Sequence, residues 1–275
     1  MTAEQRALQL QIRLGLGVRD AFDAAAEIEQ RVDFLAELLR STGARALVLG
    51  ISGGVDSLTA GCLSQRAVQR VREQGGDARF VAMRLPYGTQ LDEADAQASL
   101  QVIQPDETLT VDVRPASDAM LAAVQASGQV FRDAAQQDFL HGNIKARQRM
   151  IAQYAVAGAR GGLVVGTDHA AEALMGFFTK FGDGAADVTP LAGLNKRRVR
   201  ALAGAMGAPD ALVLKVPTAD LELLKPLKPD EDAFGVSYQQ IDDFLEGRDV
   251  SPEAFEIIVG TWRRSAHKRA LPIAP

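Results

Sequence analysis

A glycine-rich turn set between an apolar strand and a helix most constrains what this chain can fold into. Gly50-Ile51-Ser52-Gly53-Gly54-Val55-Asp56-Ser57 directly follows the apolar run Ala46-Leu47-Val48-Leu49 and precedes a helical pattern starting near Ser57. Adjacent glycines let the backbone approach a ligand and turn successive N–H groups inward, and the helix behind adds the positive end of its dipole. The turn is therefore suited to an anion, phosphate above all. No Lys-Ser or Lys-Thr follows the glycines, and the spacing is not G-x-G-x-x-G, so kinase-like transfer of a terminal phosphate is disfavoured. A hairpin or a glycine helix cap is the bland alternative, and the strand-loop-helix setting speaks against it.

The rest of the chain repeats that setting. Phe80-Val81-Ala82-Met83, Leu109-Thr110-Val111 and Leu163-Val164-Val165 are short apolar runs separated by amphipathic stretches of helix length. Strands apolar nearly throughout are buried on both faces, so the rhythm predicts an α/β fold with a doubly wound parallel sheet flanked by helices. Before it, Ala3 to Leu16 and Arg19 to Leu39 read as helices, the second with Ile28, Val32, Leu35 and Leu39 on one face. After it, Gly176 to Pro190 has little periodicity and Pro217, Pro226 and Pro229 break any long helix. Helical patterns return at Val236 to Leu245 and Pro252 to Lys268. The expectation is a single domain over residues 1–275, with N-terminal helices at 1–43, an α/β nucleotide-binding core at 44–216 and a C-terminal loop and helices at 217–275.

Charge and cysteine content narrow the function. Thirty Lys and Arg against 35 Asp and Glu leave a net charge of -5, without the basic surplus that gripping nucleic-acid phosphate needs. One cysteine, Cys62, excludes a disulfide framework and a Cys-rich zinc site, and its place behind the loop reads as core. A reducing, cytoplasmic setting fits. No apolar run reaches the ~20 residues of a membrane span, and Glu4, Arg6 and Arg13 interrupt any signal-peptide pattern. No nucleic-acid or membrane partner is expected.

The turn resembles the SGGxDS pyrophosphate loop of the ATP pyrophosphatases, which split ATP between its α and β phosphates. That resemblance implies a Rossmann-like sheet of the adenine nucleotide alpha-hydrolase type, and ATP held along Gly50, Ile51, Ser52, Gly53, Gly54, Val55, Asp56 and Ser57. Ser52 and Ser57 would donate their hydroxyls, and Asp56, repelled by phosphate, would hold Mg²⁺. One cysteine cannot supply the paired or zinc-binding cysteines of the thiolase and queuosine-pathway relatives, and nothing in the chain resembles a glutaminase.

The remaining motifs resemble one family over almost the whole chain, the ammonia-dependent NAD synthetases. Arg84-Leu85-Pro86-Tyr87-Gly88-Thr89-Gln90 follows the second strand, where the resemblance gives ATP contacts to Arg84 and Gln90; Asp92 and Glu93 read as helix N-terminal charge. Gly142-Asn143-Ile144-Lys145-Ala146-Arg147-Gln148-Arg149-Met150 opens a helix implied in dimer contact, with Arg147 on deamido-NAD. In Gly166-Thr167-Asp168-His169-Ala170-Ala171-Glu172, Thr167 or Asp168 is a good N-cap, Thr167 is implied for ATP and Glu172 as the second Mg²⁺ ligand. His169 reads as an ordinary, partly exposed histidine.

By the same resemblance Lys180 and Asp187 contact deamido-NAD from the irregular segment, Phe177 and Phe178 flank its pyridine ring, and Asp183 serves ammonium or ammonia. Lys196 and Thr218 are implied for the ATP phosphates, with Lys196 neutralising charge on the departing pyrophosphate. His267 and Lys268 are implied for deamido-NAD. Asp56, Lys196 and Asp183 are thus the candidate catalytic residues, and Mg²⁺ the cofactor. The implied reaction is a ligase reaction, amidation of deamido-NAD by ammonia with ATP as co-substrate, through an adenylated carboxylate, in a homodimer. Another ATP pyrophosphatase acting on a different acid or base is the alternative.

Overall fold

The structure, a computed structural model, describes residues 1–89, 92–219, 221, 222, 224, 228–270 and 272. In chain order the elements are α1 (Ala3–Gly15), α2 (Ala24–Thr42), β1 (Ala46–Gly50), α3 (Val55–Glu73), β2 (Arg79–Arg84), α4 (Glu93–Ile103), β3 (Glu107–Thr110), α5 (Arg114–Ala126) and α6 (Ala134–Arg160). There follow β4 (Gly162–Val164), α7 (Ala170–Met175), α8 (Lys196–Ala205), α9 (Asp210–Val213), β5 (Thr218–Ala219), β6 (Lys228–Pro229), α10 (Asp230–Phe234), α11 (Tyr238–Leu245), α12 (Pro252–Arg264) and a 3-10 turn, Ala266–Lys268.

The first four strands form one parallel sheet in the order β3-β2-β1-β4, as the alternating strand and helix rhythm predicts. Alternation along β1 builds two cores. Leu47 and Leu49 join Phe80 and Ala82 beneath Leu35, Leu58, Leu63 and Leu202 of α2, α3 and α8. Val48 joins Val81, Met83 and Val164 beneath Ala157 of α6 on the opposite face. A third cluster, with Ile12, Leu174, Ile241, Phe244 and Ile258, ties α1, α7, α11 and α12 together. The edge strand β3 departs from expectation: Glu107 and Leu109 are half-buried and Thr108 and Thr110 exposed, because a helix covers less of an edge than of a centre.

Capping corrects several boundaries. The second helix begins at Ala24 rather than near Arg19, because the Asp23 carboxylate accepts from the Ala26 amide at 2.8 Å. It runs on to Thr42, where Gly43 takes a left-handed conformation. The helix behind the glycine turn starts at Val55, two residues before Ser57. Gly142 does not open a helix: it lies within α6, which Asp133 caps at its start, and its bare Cα gives room for Leu221. The C-terminal helix stops at Arg264 and gives way to the 3-10 turn rather than continuing to Lys268. Ser237 closes a capping box with Gln240, so α11 starts at Tyr238 rather than Val236.

The candidate site follows from this topology. From β1 the chain winds out to β2 and β3 on one side and crosses to β4 on the other, so the loops after β1 and β4 diverge beside each other at the carboxyl end of the sheet. The helices that those two loops lead into, α3 and α7, carry Asp56 and Glu172 in their first turns.

Candidate functional site

The glycine turn is braced from all sides. Ser57 Oγ accepts the Ser52 amide at 3.2 Å and donates to the Gly54 carbonyl at 3.1 Å, and the Ser52 and Ser57 hydroxyls lie 3.1 Å apart. The two serines thus engage the turn itself rather than pointing away from it. The Gly50 amide donates to Gln153 Oε1 on α6 at 2.8 Å, and Arg84 donates to the Ile51 carbonyl. Gly53 has φ of 89°, and a Cβ there would lie 2.8 Å from the Ala96 backbone nitrogen. Only glycine satisfies both demands. Among the described residues no side chain caps the N-terminus of α3, which leaves that positive end for a ligand.

Asp56 stands in the first turn of α3 beside three charged or polar neighbours. Its Oδ2 accepts from Lys196 Nζ at 2.6 Å. Its Oδ1 lies 3.3 Å from His169 Nε2, which lies 3.7 Å from Glu172 Oε1. Lys196 is the first residue of α8, fixed there by Asp242 of α11, whose Oδ1 accepts the Lys196 amide at 3.0 Å and Oδ2 the Arg197 amide at 2.8 Å. Asn195 caps the same helix end, accepting from the Arg198 amide at 2.9 Å.

Burial alone would push the Asp56 carboxyl up, yet the Lys196 ammonium and His169 hold it below the usual carboxylate range. Lys196 moves up despite burial, because Asp56 and Glu172 face it. Glu172 is pushed well above the ordinary carboxylate value, first by burial and then by the nearby Asp56 charge. The site thus holds one firm ion pair and a second carboxylate that the Lys196 charge only partly compensates.

His169 corrects the sequence reading twice. It is buried, 1% exposed, and not partly exposed. It is also the N-cap of α7 in place of Thr167 or Asp168, its Nδ1 accepting the Glu172 amide at 3.4 Å. A ring that accepts at Nδ1 carries its neutral proton on Nε2, facing the two carboxylates. The ligand atoms of Asp56, His169 and Glu172 all lie within 4.8 Å of one another. Among the described residues Asp56 Oδ1 is a buried oxygen that faces His169 Nε2 at 3.3 Å without a well-formed hydrogen bond, so a cation fits beside it. With Nε2 protonated the donors are carboxylate oxygens, the chemistry of a hard cation such as Mg²⁺.

The other candidates gather in a second group around the irregular segment. Lys268 Nζ donates to the Gly176 and Phe178 carbonyls, both at 2.8 Å. Arg147 donates to the Lys180 carbonyl at 3.2 Å, and Asp183 accepts the Thr179 amide at 2.9 Å. Gly176 turns with φ of 58° hard against Ser265, where any Cβ would collide. His267 is exposed on the 3-10 turn, and Thr218 pairs with Pro229 in a two-stranded hairpin. Phe177 packs edge-on against Phe234, 4.6 Å between ring centroids, as part of the third core rather than a ligand wall.

Two further expected ligand contacts, like Lys268 and Arg147, are engaged with backbone. Arg84 is 3% exposed and, besides Ile51, holds Glu93 Oε2 at 2.6 Å, so Glu93 has a partner beyond the helix dipole. Asp187 accepts the Val164 amide at 2.7 Å. Cys62 is buried in the first core, as expected. Gln90 lies outside the described residues. Asp242 and Tyr238 were invisible to motif reading, since a carboxylate or phenol on an amphipathic helix carries no signature of its own.

Comparison with known proteins agrees with this geometry. The NAD synthase family model matches residues 27–272. The chain is 68% identical over 269 residues to the NH(3)-dependent NAD(+) synthetase of Streptomyces coelicolor, covering 98% of each chain. It is 64% identical over 271 residues to that of Burkholderia lata, covering 98% of this chain and 96% of the relative. Among solved structures, the NAD+ synthetase of Burkholderia pseudomallei superposes with a TM-score of 0.86 at 60% identity, over 99% of each chain. The NMN synthetase of Francisella tularensis superposes with a TM-score of 0.80 at 35% identity, over 93% of this chain and 99% of that one.

Proposed function

The chain belongs to the NAD synthase family, and from that premise we infer that it is an ATP-dependent ligase that amidates the nicotinate carboxylate of deamido-NAD with ammonia. The products are NAD, AMP and pyrophosphate, and the reaction is the last step of NAD biosynthesis. The observation that carries the reading at residue level is the buried Lys196 ammonium on Asp56, beside an anion-shaped turn and a second carboxylate.

The chemistry requires two steps. Ammonia does not displace oxide from a carboxylate, so the carboxylate first attacks the α-phosphate of ATP and becomes a mixed anhydride. Negative charge then grows on the departing pyrophosphate, where the turn's backbone amides, the α3 N-terminus and Lys196 stabilise it. Asp56 and Glu172 would hold Mg²⁺, which when bound supplies further neutralisation of phosphate charge. Ammonia next attacks the acyl carbon and AMP leaves. Asp183 receives the proton that the attacking nitrogen loses as the amide forms. The segment from Gly176 to Asp187, tied by Lys268 and Arg147, excludes water that would hydrolyse the anhydride.

Arg147, Lys180, His267 and Lys268 are assigned to deamido-NAD, and Thr167, Thr218 and Gln90 to ATP. Arg84, Arg147, Asp187 and Lys268 would have to exchange backbone bonds for ligand. We assign a homodimer in the cytoplasm: Phe139, Leu140 and Ile151 leave α6 with an exposed apolar face that a second copy would cover. Among the described residues no helix is long and apolar enough to cross a membrane.

The test is pyrophosphate release from ATP, Mg²⁺ and deamido-NAD, with and without ammonium, while AMP and NAD are followed by chromatography. Ammonium-dependent NAD with equal AMP is the expected outcome, and ATP binding without NAD would overturn the substrate. The likeness to an NMN synthetase supports a second reading, in which the acid is the mononucleotide. Running nicotinate mononucleotide in parallel separates the two by kcat/KM.

A further inference from the structure

Lys196 has a second seat besides Asp56. Its ammonium lies 5.0 Å from the centroid of the Tyr238 ring, within the range at which a ring face attracts a cation. Tyr238 is 4% exposed, and its hydroxyl donates to Asp230 Oδ2 at 3.0 Å while its amide donates to Glu231 Oε1 at 2.7 Å. Tyr238 and Asp242 are four residues apart, hence on one face of α11. One face of one helix therefore grips Lys196 at both ends: Asp242 holds the backbone amide and Tyr238 covers the ammonium.

Asp56 cannot keep all of its charge on Lys196 while serving as a metal ligand. A lysine left with no other partner would be free to leave the position at which pyrophosphate departs. We propose that Tyr238, oriented by Asp230, is a positioning residue that keeps the Lys196 ammonium aimed at the pyrophosphate turn when Asp56 is otherwise engaged. The inference rests on the ligase reading for its kinetic half, whereas its binding half needs only inorganic pyrophosphate.

The experiment compares the full-length protein with Tyr238→Phe, Tyr238→Leu and Asp230→Asn. It measures the Kd for inorganic pyrophosphate by calorimetry, kcat and KM for deamido-NAD, and Tm. Tyr238→Leu removes the ring face and is expected to weaken pyrophosphate and lower kcat by about tenfold each. KM for deamido-NAD stays within about twofold, because the ring acts on Lys196 and not on the dinucleotide. Tyr238→Phe keeps the face and recovers most of both values; Asp230→Asn falls between. Wild-type pyrophosphate affinity in Tyr238→Leu would overturn the proposal. So would a Tyr238→Phe variant that falls as far as Tyr238→Leu, or losses that merely track Tm. If the wild type binds pyrophosphate but makes no NAD, the ligase reading fails and the pyrophosphate comparison still decides the role of Tyr238.

Discussion

The Lys196 ammonium lies 2.6 Å from Oδ2 of Asp56, joining the first turn of α3 to the first turn of α8 across 140 positions of chain. Both groups are largely shielded, the Lys196 side chain 2% and the Asp56 side chain 17% exposed, so the pair feels little solvent screening. Lys196→Met should cost about 3 kcal/mol of stability by leaving Asp56 unpaired, and about 100-fold or more in kcat. Urea unfolding and steady-state turnover check the two halves; turnover within a few-fold of wild type would remove Lys196 from the chemistry.

Glu172 gives effects of opposite sign. Its carboxyl is raised by burial and by Asp56, so its charged form weakens the metal-free protein. Glu172→Gln should raise Tm in the presence of a chelator while lowering Mg²⁺-dependent turnover by about 100-fold. A lowered Tm in chelator would show that the charge is stabilising after all.

Gly53 tolerates no side chain. With φ of 89° and the Ala96 nitrogen 2.8 Å from any Cβ, Gly53→Ala has to reshape the turn. Calorimetric affinity for pyrophosphate should fall by about tenfold or more. Retained affinity would mean that the turn does not hold phosphate.

Lys268 supports the irregular segment through two carbonyls. Lys268→Met should raise KM for deamido-NAD by about tenfold, the worth of hydrogen bonds from a charged donor, with pyrophosphate affinity unchanged. An unaltered KM would detach this lysine from the dinucleotide.

Asp242 sets a pH dependence. Burial pushes its carboxyl up to about 6 from an ordinary value of 3.8, with the Lys196 and Arg197 amides opposing. Between those two values the folded protein holds a proton that the unfolded chain has released, so stability falls as pH rises from about 4 to about 6 and is then level in this contribution. Asp242→Asn removes that slope, a difference of up to about 3 kcal/mol across the window. Denaturation of both proteins at the two ends of the window measures it, and identical slopes would refute the assignment.

The sheet and the strand-turn-helix setting of the glycine turn are legible in the sequence because both are local: Ala46 to Ser57 states strand, turn and helix in twelve residues. The sequence misreads His169 because the charged groups that face its buried ring, Asp56 and Lys196, come from other stretches of the chain. Arg84 and Asp187 were read as ligand contacts from their positions in motifs, yet their bonds to Ile51 and Val164 depend on which strands lie side by side. The grip of α11 on Lys196 is a tertiary fact throughout, since nothing near residue 196 points to residue 242.

Synthesis order gives the grip on Lys196 a further consequence. The four strands of the parallel sheet and the glycine turn are all encoded before residue 165, whereas the helix face that seats Lys196 is encoded at 238 to 242. A nascent chain emerging from the ribosome therefore presents the residues of the glycine turn before the side chains that hold Lys196 in place have been made. The geometry of the Asp56 and Lys196 pair thus depends on one of the last helices to be made, α11.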